Sequence, residues 1–153
     1  MRTATILTLM FLAMGAASQD AMPLPAFAQC KFSDGTSIDV SYLLNHQRYR
    51  LSTSGPLLTT HGTSVPAGDY TVYLEKDSHQ HWTLKMTKPI GRKGLFVLLS
   101  PMSVTSFALP VESPEISFDH TGGSCMMIWN HKESDTVLSL EFTQKNADMP
   151  VLR

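Results

Sequence analysis

The feature that most narrows the possible folds is a two-residue alternation of apolar and polar side chains along most of the chain. Ile38, Val40 and Tyr42 alternate with Ser37, Asp39 and Ser41. Successive side chains of a strand point to opposite faces, so this segment buries one face and wets the other. Just upstream, Lys31 to Thr36 carries Asp34-Gly35. That pair tolerates the positive φ angles of a tight hairpin and predicts a two-residue turn. The alternation returns at Tyr70, Val72 and Leu74 after a Val65-Pro66-Ala67-Gly68 turn, and at Trp82, Leu84 and Met86 after Asp77-Ser78. Beyond the polar loop Gly91-Arg92-Lys93-Gly94, Leu95 to Leu99 is a continuous apolar run. Such a run suits a strand covered on both sides. Ser103 to Leu109, bounded by Pro101 and Pro110, predicts another strand, and Ile116 with Phe118 a short one ending at Thr121-Gly122-Gly123. Cys125 to Trp129 and Leu138-Leu140-Phe142 form a last pair around Lys132 to Asp135. Many short strands at roughly ten-residue spacing predict an all-β fold, a single-domain antiparallel β-sandwich.

Composition agrees and removes several classes of function. Only 16% of the 153 residues are charged while 42% are apolar. Disorder and coiled coils both need the opposite balance. Ser and Thr supply 31 residues, which suits the wet faces of strands. A net charge of −1 leaves no basic footprint for nucleic acid.

Arg2 precedes an apolar run from Ala4 to Ala17 that is too short to span a bilayer. A positive start, a short apolar run and small residues predict a secretory signal peptide. Ala16-Ala17-Ser18 places cleavage before Gln19, and Ala26-Phe27-Ala28 offers a second site before Gln29. The first lies closer to the apolar run, so residues 1–18 are read as signal peptide, 19–28 as an extended leader and 29–153 as the sandwich domain. The expected product is exported to the periplasm or the exterior, with no stable membrane anchor after cleavage. In such a compartment two cysteines predict one disulfide, Cys30 to Cys125, between the first and penultimate strands.

The residues that could carry chemistry form weak patterns. His79 and His81 share a strand face, and His120 beside Asp119 could add a third ligand. Their position near a polar turn makes a solvated loop the plainer reading. No Gly-x-Ser-x-Gly elbow anchors a Ser/His/Asp triad. His46, Arg48, Tyr49 and Arg50 form a basic-aromatic cluster whose plainest meaning is a charged edge or loop. Trp82, Trp129, Tyr70 and Tyr73 could make a sugar-binding platform if exposed, against core packing as the plainer role.

The segments Val65-Pro66-Ala67-Gly68-Asp69-Tyr70-Thr71-Val72 and Trp82-Thr83-Leu84 resemble an exported bacterial family, domain of unknown function 2911. Leu109-Pro110-Val111-Glu112, Ile116-Ser117-Phe118-Asp119 and Gly123-Ser124-Cys125-Met126-Met127-Ile128-Trp129 are similar to its closing half. Cys30-Lys31-Phe32-Ser33-Asp34-Gly35 is similar to its first hairpin. The resemblance covers about residues 29–143 and implies a β-sandwich and export, with no activity. Only 22 residues separate Tyr42 from Val65, and the family's Trp-Arg-Thr-Gly-Ala-Asn-Glu-like segment is absent.

The reading that follows is a non-enzymatic binding or interaction module that needs no cofactor. Its candidate surface lies around Arg48, Tyr49, Arg50 and Trp82, and its partner is an unidentified ligand or protein. The rival reading is a metal-dependent or hydrolytic enzyme built on His79, His81 and His120.

Overall fold

A computed structural model describes residues 25–43, 48–105, 109 and 113–145. The run read as a signal peptide and the cleavage site expected before Gln19 lie outside the described residues, as does His46; the alternative site before Gln29 falls within β1 Pro25–Lys31. Twelve strands run in chain order: β1 Pro25–Lys31, β2 Ser37–Leu43, β3 Tyr49–Thr53, β4 Leu57–Thr59, β5 Ser64–Val65 and β6 Gly68–Lys76. They continue as β7 Trp82–Ile90, β8 Gly94–Pro101, β9 Ser103–Val104, β10 Ile116–Thr121, β11 Ser124–His131 and β12 Thr136–Gln144. A 3-10 turn, Lys132–Ser134, joins β11 to β12.

The strands form two antiparallel sheets. The first has the order β1-β2-β3-β6-β7-β8, and the second β10-β11-β12-β4-β5 with β9 also paired to β12. The sheets meet through their apolar faces. Ile38, Val40, Leu51, Tyr70, Leu84 and Met86 come from the first, and Ile116, Met127, Trp129, Leu138 and Phe142 from the second. Each such side chain contributes about 1.5–3 kcal/mol of transfer free energy when fully buried. The all-β sandwich expected from the alternation is therefore the fold.

The Cys30–Cys125 disulfide is present and spans 95 residues. It ties β1 to β11 across the two sheets. At the level of β10, the Ile116 N–H donates to the Tyr42 hydroxyl at 3.4 Å, a second link between the sheets.

Several local expectations need correction. The first strand begins at Pro25, so residues 25–28 of the expected leader are paired to β2, with Ala28 opposite Val40. The Asp34-Gly35 turn holds three residues rather than two. The Phe32 N–H donates to the Thr36 carbonyl (2.7 Å) and the Gly35 N–H to the Phe32 carbonyl (3.0 Å), with Gly35 at φ 91°. A type I turn followed by a left-handed glycine is the usual three-residue solution. Asp34 makes it rigid by accepting the Thr36 N–H at 2.7 Å. The segment between Tyr42 and Val65 is not merely a shortened connection, because β3 and β4 lie in it. Tyr49 and Arg50 belong to β3, an interior strand between β2 and β6. They are not on an edge or in a loop. Of the strand expected over Ser103 to Leu109, the described residues show Ser103–Val104 paired to β12, and residues 106–108 and 110 lie outside them. Finally, Leu95 to Leu99 is not covered on both sides. It forms most of β8, an edge strand whose outer side chains face solvent.

The Pro66-Ala67-Gly68-x-Tyr70 turn has a physical explanation. The Tyr70 hydroxyl donates to the Pro66 carbonyl at 2.6 Å while its ring is buried in the core. Burial raises the Tyr70 pKa, so the phenol stays protonated and keeps donating. Gly68 takes φ 145°, and a Cβ there would come within 3.6 Å of the Lys88 Nζ. A side-chain-free residue lets the turn enter β6 without strain.

Candidate functional site

The outer face of the first sheet carries an open groove of about 1210 Å³. Its floor follows from the strand registers. Ser41 pairs with Arg50, Arg50 with Thr71, and Thr71 with Thr87. Residues in register share a face, so all four point outward. Phe27 on β1 closes one end, opposite Ser41, and Pro89 on β7 approaches the other. Tyr73 stands beside Thr71 on the same face. Phe27 is 73% exposed and Tyr73 45% exposed, a large uncovered aromatic area in a groove also lined by Ser41, Arg48, Arg50, Asp69, Thr71 and Lys88, with Thr87 buried beneath it.

Arg48 and Arg50 line this groove. Arg50 lies 3.3 Å from the Asp69 carboxylate, with both side chains well exposed. An exposed pair of this kind contributes little to stability and leaves the guanidinium available. Asp69 also accepts the Ser52 hydroxyl. That hydroxyl, followed by the Arg50 charge, holds the Asp69 carboxyl below its usual range.

Tyr49 and Trp82 do not belong to this surface in the way expected. Tyr49 is one residue out of phase with Arg50, so its side chain turns inward. Its ring packs 4.4 Å from Trp129 and 5.8 Å from Tyr42, and its hydroxyl donates to the Glu115 carboxylate. Burial, then the Glu115 partner, pushes its pKa well above the ordinary phenol value. Tyr49 is thus a fastener between the sheets. Trp82 sits five residues from Thr87 along β7, on the opposite face. Only 8% of it is exposed, and it packs against the His131 ring at 5.1 Å beneath the Lys76 ammonium. Of the four residues expected to form one surface, Arg48, Tyr49 and Arg50 all line the groove, Tyr49 with its ring packed inward, and Trp82 does not.

The three histidines are not gathered. His79 and His81 lie in the β6–β7 turn with ring centroids 6.3 Å apart. Asp77 builds that turn by accepting both their backbone N–H groups at 2.8 Å, and the His81 N–H first of all lowers the Asp77 pKa. His81 also places Nδ1 3.4 Å from the same carboxylate. His120 is elsewhere. It pairs with Cys125 at one end of β11, whereas the β6–β7 turn leads into Trp82, which meets His131 at the other end. Six residues of strand separate those ends, about 20 Å. Among the described residues, one group of three potential ligands has atoms within 4.8 Å of one another: Cys30, His120 and Cys125. The two sulfurs there are bonded to each other, so no thiolate is offered.

Sequence reasoning missed Phe27, Thr71 and Thr87; of the platform Trp82, Trp129, Tyr70 and Tyr73, only Tyr73 is exposed, the other three being core residues. Tyr73 carried a legible signal, because it falls out of phase with Tyr70, Val72 and Leu74. Phe27 carried none, since the strand containing it was read as a leader. Among the described residues no helix is long and apolar enough to cross a membrane. No protein-family description, curated protein or solved structure matches this chain.

Proposed function

We propose that this is an exported, non-enzymatic binding module whose binding surface is the outer face of the first sheet. One observation carries the reading. Exposed aromatic rings at Phe27 and Tyr73 flank a groove floored by hydroxyls and two arginines. Guanidinium groups pair with carboxylates through two parallel hydrogen bonds, and threonine hydroxyls exchange hydrogen bonds with ligand hydroxyls. Flat apolar rings supply contact area at little conformational cost. An elongated, acidic, hydroxyl-rich chain matches that set, and an acidic oligosaccharide is the simplest member of the class. Export is supported by the apolar N-terminal run and by the buried disulfide, which persists in oxidising compartments. The resemblance to domain of unknown function 2911 belongs to the same proposal and rests on the sequence of the Pro66-Ala67-Gly68-x-Tyr70 turn and the segments similar to it.

The test is a melting assay on the chain from Gln19, with acidic and neutral oligosaccharides, divalent metals and a chelator. Ligands that bind the folded state raise the midpoint in proportion to their saturation. Acidic oligosaccharides are expected to raise it, and Arg48→Ala or Tyr73→Ala to weaken the effect roughly tenfold. A flat response to every oligosaccharide contradicts the reading. A shift with metals alone, reversed by the chelator, would contradict it as well.

A further inference from the structure

Strand β8 presents a conflict that the single chain does not resolve. Its sequence is apolar on both faces from Leu95 to Leu99, yet only one face meets the core. Phe96 and Leu98 turn inward and are partly buried. Leu95, Val97 and Leu99 turn outward and are 60%, 42% and 54% exposed. Nothing charged interrupts the run, and no proline lies inside it.

The backbone of the same residues is also unpaired. The Met102 N–H donates to the Trp82 carbonyl at 3.0 Å, which extends the β7–β8 ladder. Hydrogen-bonded and non-hydrogen-bonded pairs alternate in an antiparallel ladder. The bonded pairs are therefore Leu84 with Ser100, Met86 with Leu98 and Lys88 with Phe96. Lys85–Leu99, Thr87–Val97 and Pro89–Leu95 are the other class, so Leu95, Val97 and Leu99 direct N–H and C=O away from β7. Two details agree. Pro89 and Pro101, which have no N–H, both fall in that non-bonded class. The Leu99 carbonyl accepts the Thr63 hydroxyl at 3.0 Å, from outside the sheet. The Leu95 and Val97 groups have no protein partner among the described residues. A long apolar edge with open hydrogen bonds is a template for another strand.

We infer that β8 pairs with β8 of a second copy of this chain, antiparallel about a two-fold axis at Val97, joining two first sheets into one. The pattern of the strand is what selects a second copy over another partner. In that register Val97 faces the partner's Val97, and Leu95 faces the partner's Leu99. Phe96 faces the partner's Leu98 on the inner side. Apolar meets apolar at every position on both faces, a self-complementarity that a two-fold interface requires. The charges comply as well. Arg92 and Lys93 precede β8, and Lys93 falls opposite the partner's Pro101 rather than another cation. The two basic loops end up at opposite ends of the joint. A ladder of about four hydrogen bonds would use the open groups, the Leu99 carbonyl already accepting from Thr63. The assembly closes after two copies, because the sheet's other edge, β1, lies against β10 and is bonded to β11 through Cys30.

Sedimentation equilibrium of the chain from Gln19 over a concentration series is expected to show a monomer–dimer equilibrium. Val97→Lys places two ammonium groups face to face on the axis and should raise the dissociation constant roughly tenfold or more. Val97→Cys provides a second readout that needs no loss of folding. Facing residues of a bonded antiparallel pair have Cα atoms about 5.5 Å apart, within disulfide range. With Cys30 and Cys125 already bonded, the new thiol should form a covalent dimer under mild oxidation. Leu99→Cys should not cross-link to itself, because the register sets it opposite the partner's Leu95. A monomer at every concentration overturns the proposal. So does a dimer that survives Val97→Lys, or one in which Leu99→Cys cross-links while Val97→Cys does not.

Discussion

The first sheet ends in two edge strands that solve the same problem in opposite ways. At β1, the inward side chains are small, Ala26 and Ala28, and then Cys30 bonds across to Cys125. The outward ones are Phe27, Gln29 and Lys31, of which only Phe27 is apolar and it closes the groove. At β8 there is no covalent tie. Its C-terminal part is held by the Ser100 hydroxyl, which donates to Thr59 Oγ1 at 3.2 Å, and by Thr63 on Leu99. The part from Leu95 to Val97 carries no such fastener among the described residues. One edge is closed by covalent chemistry and the other is left as apolar surface. The groove runs between them, so the closed edge gives it a rigid wall and the open edge gives it a neighbour.

This contrast can be broken most severely at the closed edge. Replacing both cysteines by alanine removes a 95-residue loop constraint, worth roughly 4–5 kcal/mol as an upper figure. Urea unfolding should show a correspondingly lower midpoint, and the added hydrogen exchange should concentrate in β1, β10 and β11. The next largest effect compares depth along the other side. Leu84→Ala, in β7 with no exposed surface, should cost about 2–5 kcal/mol. Leu95→Ala on the bare face of β8 should change the stability of the monomer by less than about 0.5 kcal/mol. Equal losses at the two leucines would mean that β8 is covered within the single chain.

Smaller again is Tyr49→Phe, which deletes the hydroxyl that joins β3 to Glu115 and should cost about 1.5–3 kcal/mol. Its effect should appear in unfolding and leave ligand binding at Arg48 unchanged. The mildest prediction concerns acid. The folded carboxyls of Asp34, Asp69 and Asp77 lie below their ordinary value, held there chiefly by the Thr36 N–H, the Ser52 hydroxyl and the His81 N–H. A depressed folded pKa contributes stability above the unfolded value of about 3.9, and that stability is lost as pH falls through the folded value. The melting midpoint should therefore fall on acidification below about pH 4. Asp77→Asn should flatten part of that fall, because its turn then loses the charge that organises His79 and His81.

Local chemistry in the sequence reached the architecture but stopped short of the site. Alternation at Ile38-Val40-Tyr42 or Tyr70-Val72-Leu74 reports which side chains are buried, because the pleat enforces it. An even cysteine count leaves a single intramolecular pairing. None of this reveals which strands are neighbours. Arg50 and Thr87 are far apart in the chain and share a floor only because β3, β6 and β7 lie in that order. The same blindness placed Trp82 beside Arg50, although strand parity sets them on opposite faces once the register is known. Leu95 to Leu99 was misread for a related reason. An apolar run says that a strand avoids water on both sides, and it does not say whether its own chain supplies the cover. The short span between Tyr42 and Val65 hid β3 because an interior strand carrying Arg50 and Ser52 outward has too little apolar content to stand out.

The proposed binding surface is the outer face of the first sheet and not the histidines. Backbone amide NMR of the chain from Gln19, titrated with an oligogalacturonate, tests it residue by residue. Shifts are expected at Arg50, Thr71, Tyr73 and Thr87, with His79, His81 and His120 unmoved. Shifts gathered at those histidines, or an unchanged spectrum at saturating ligand, would contradict it.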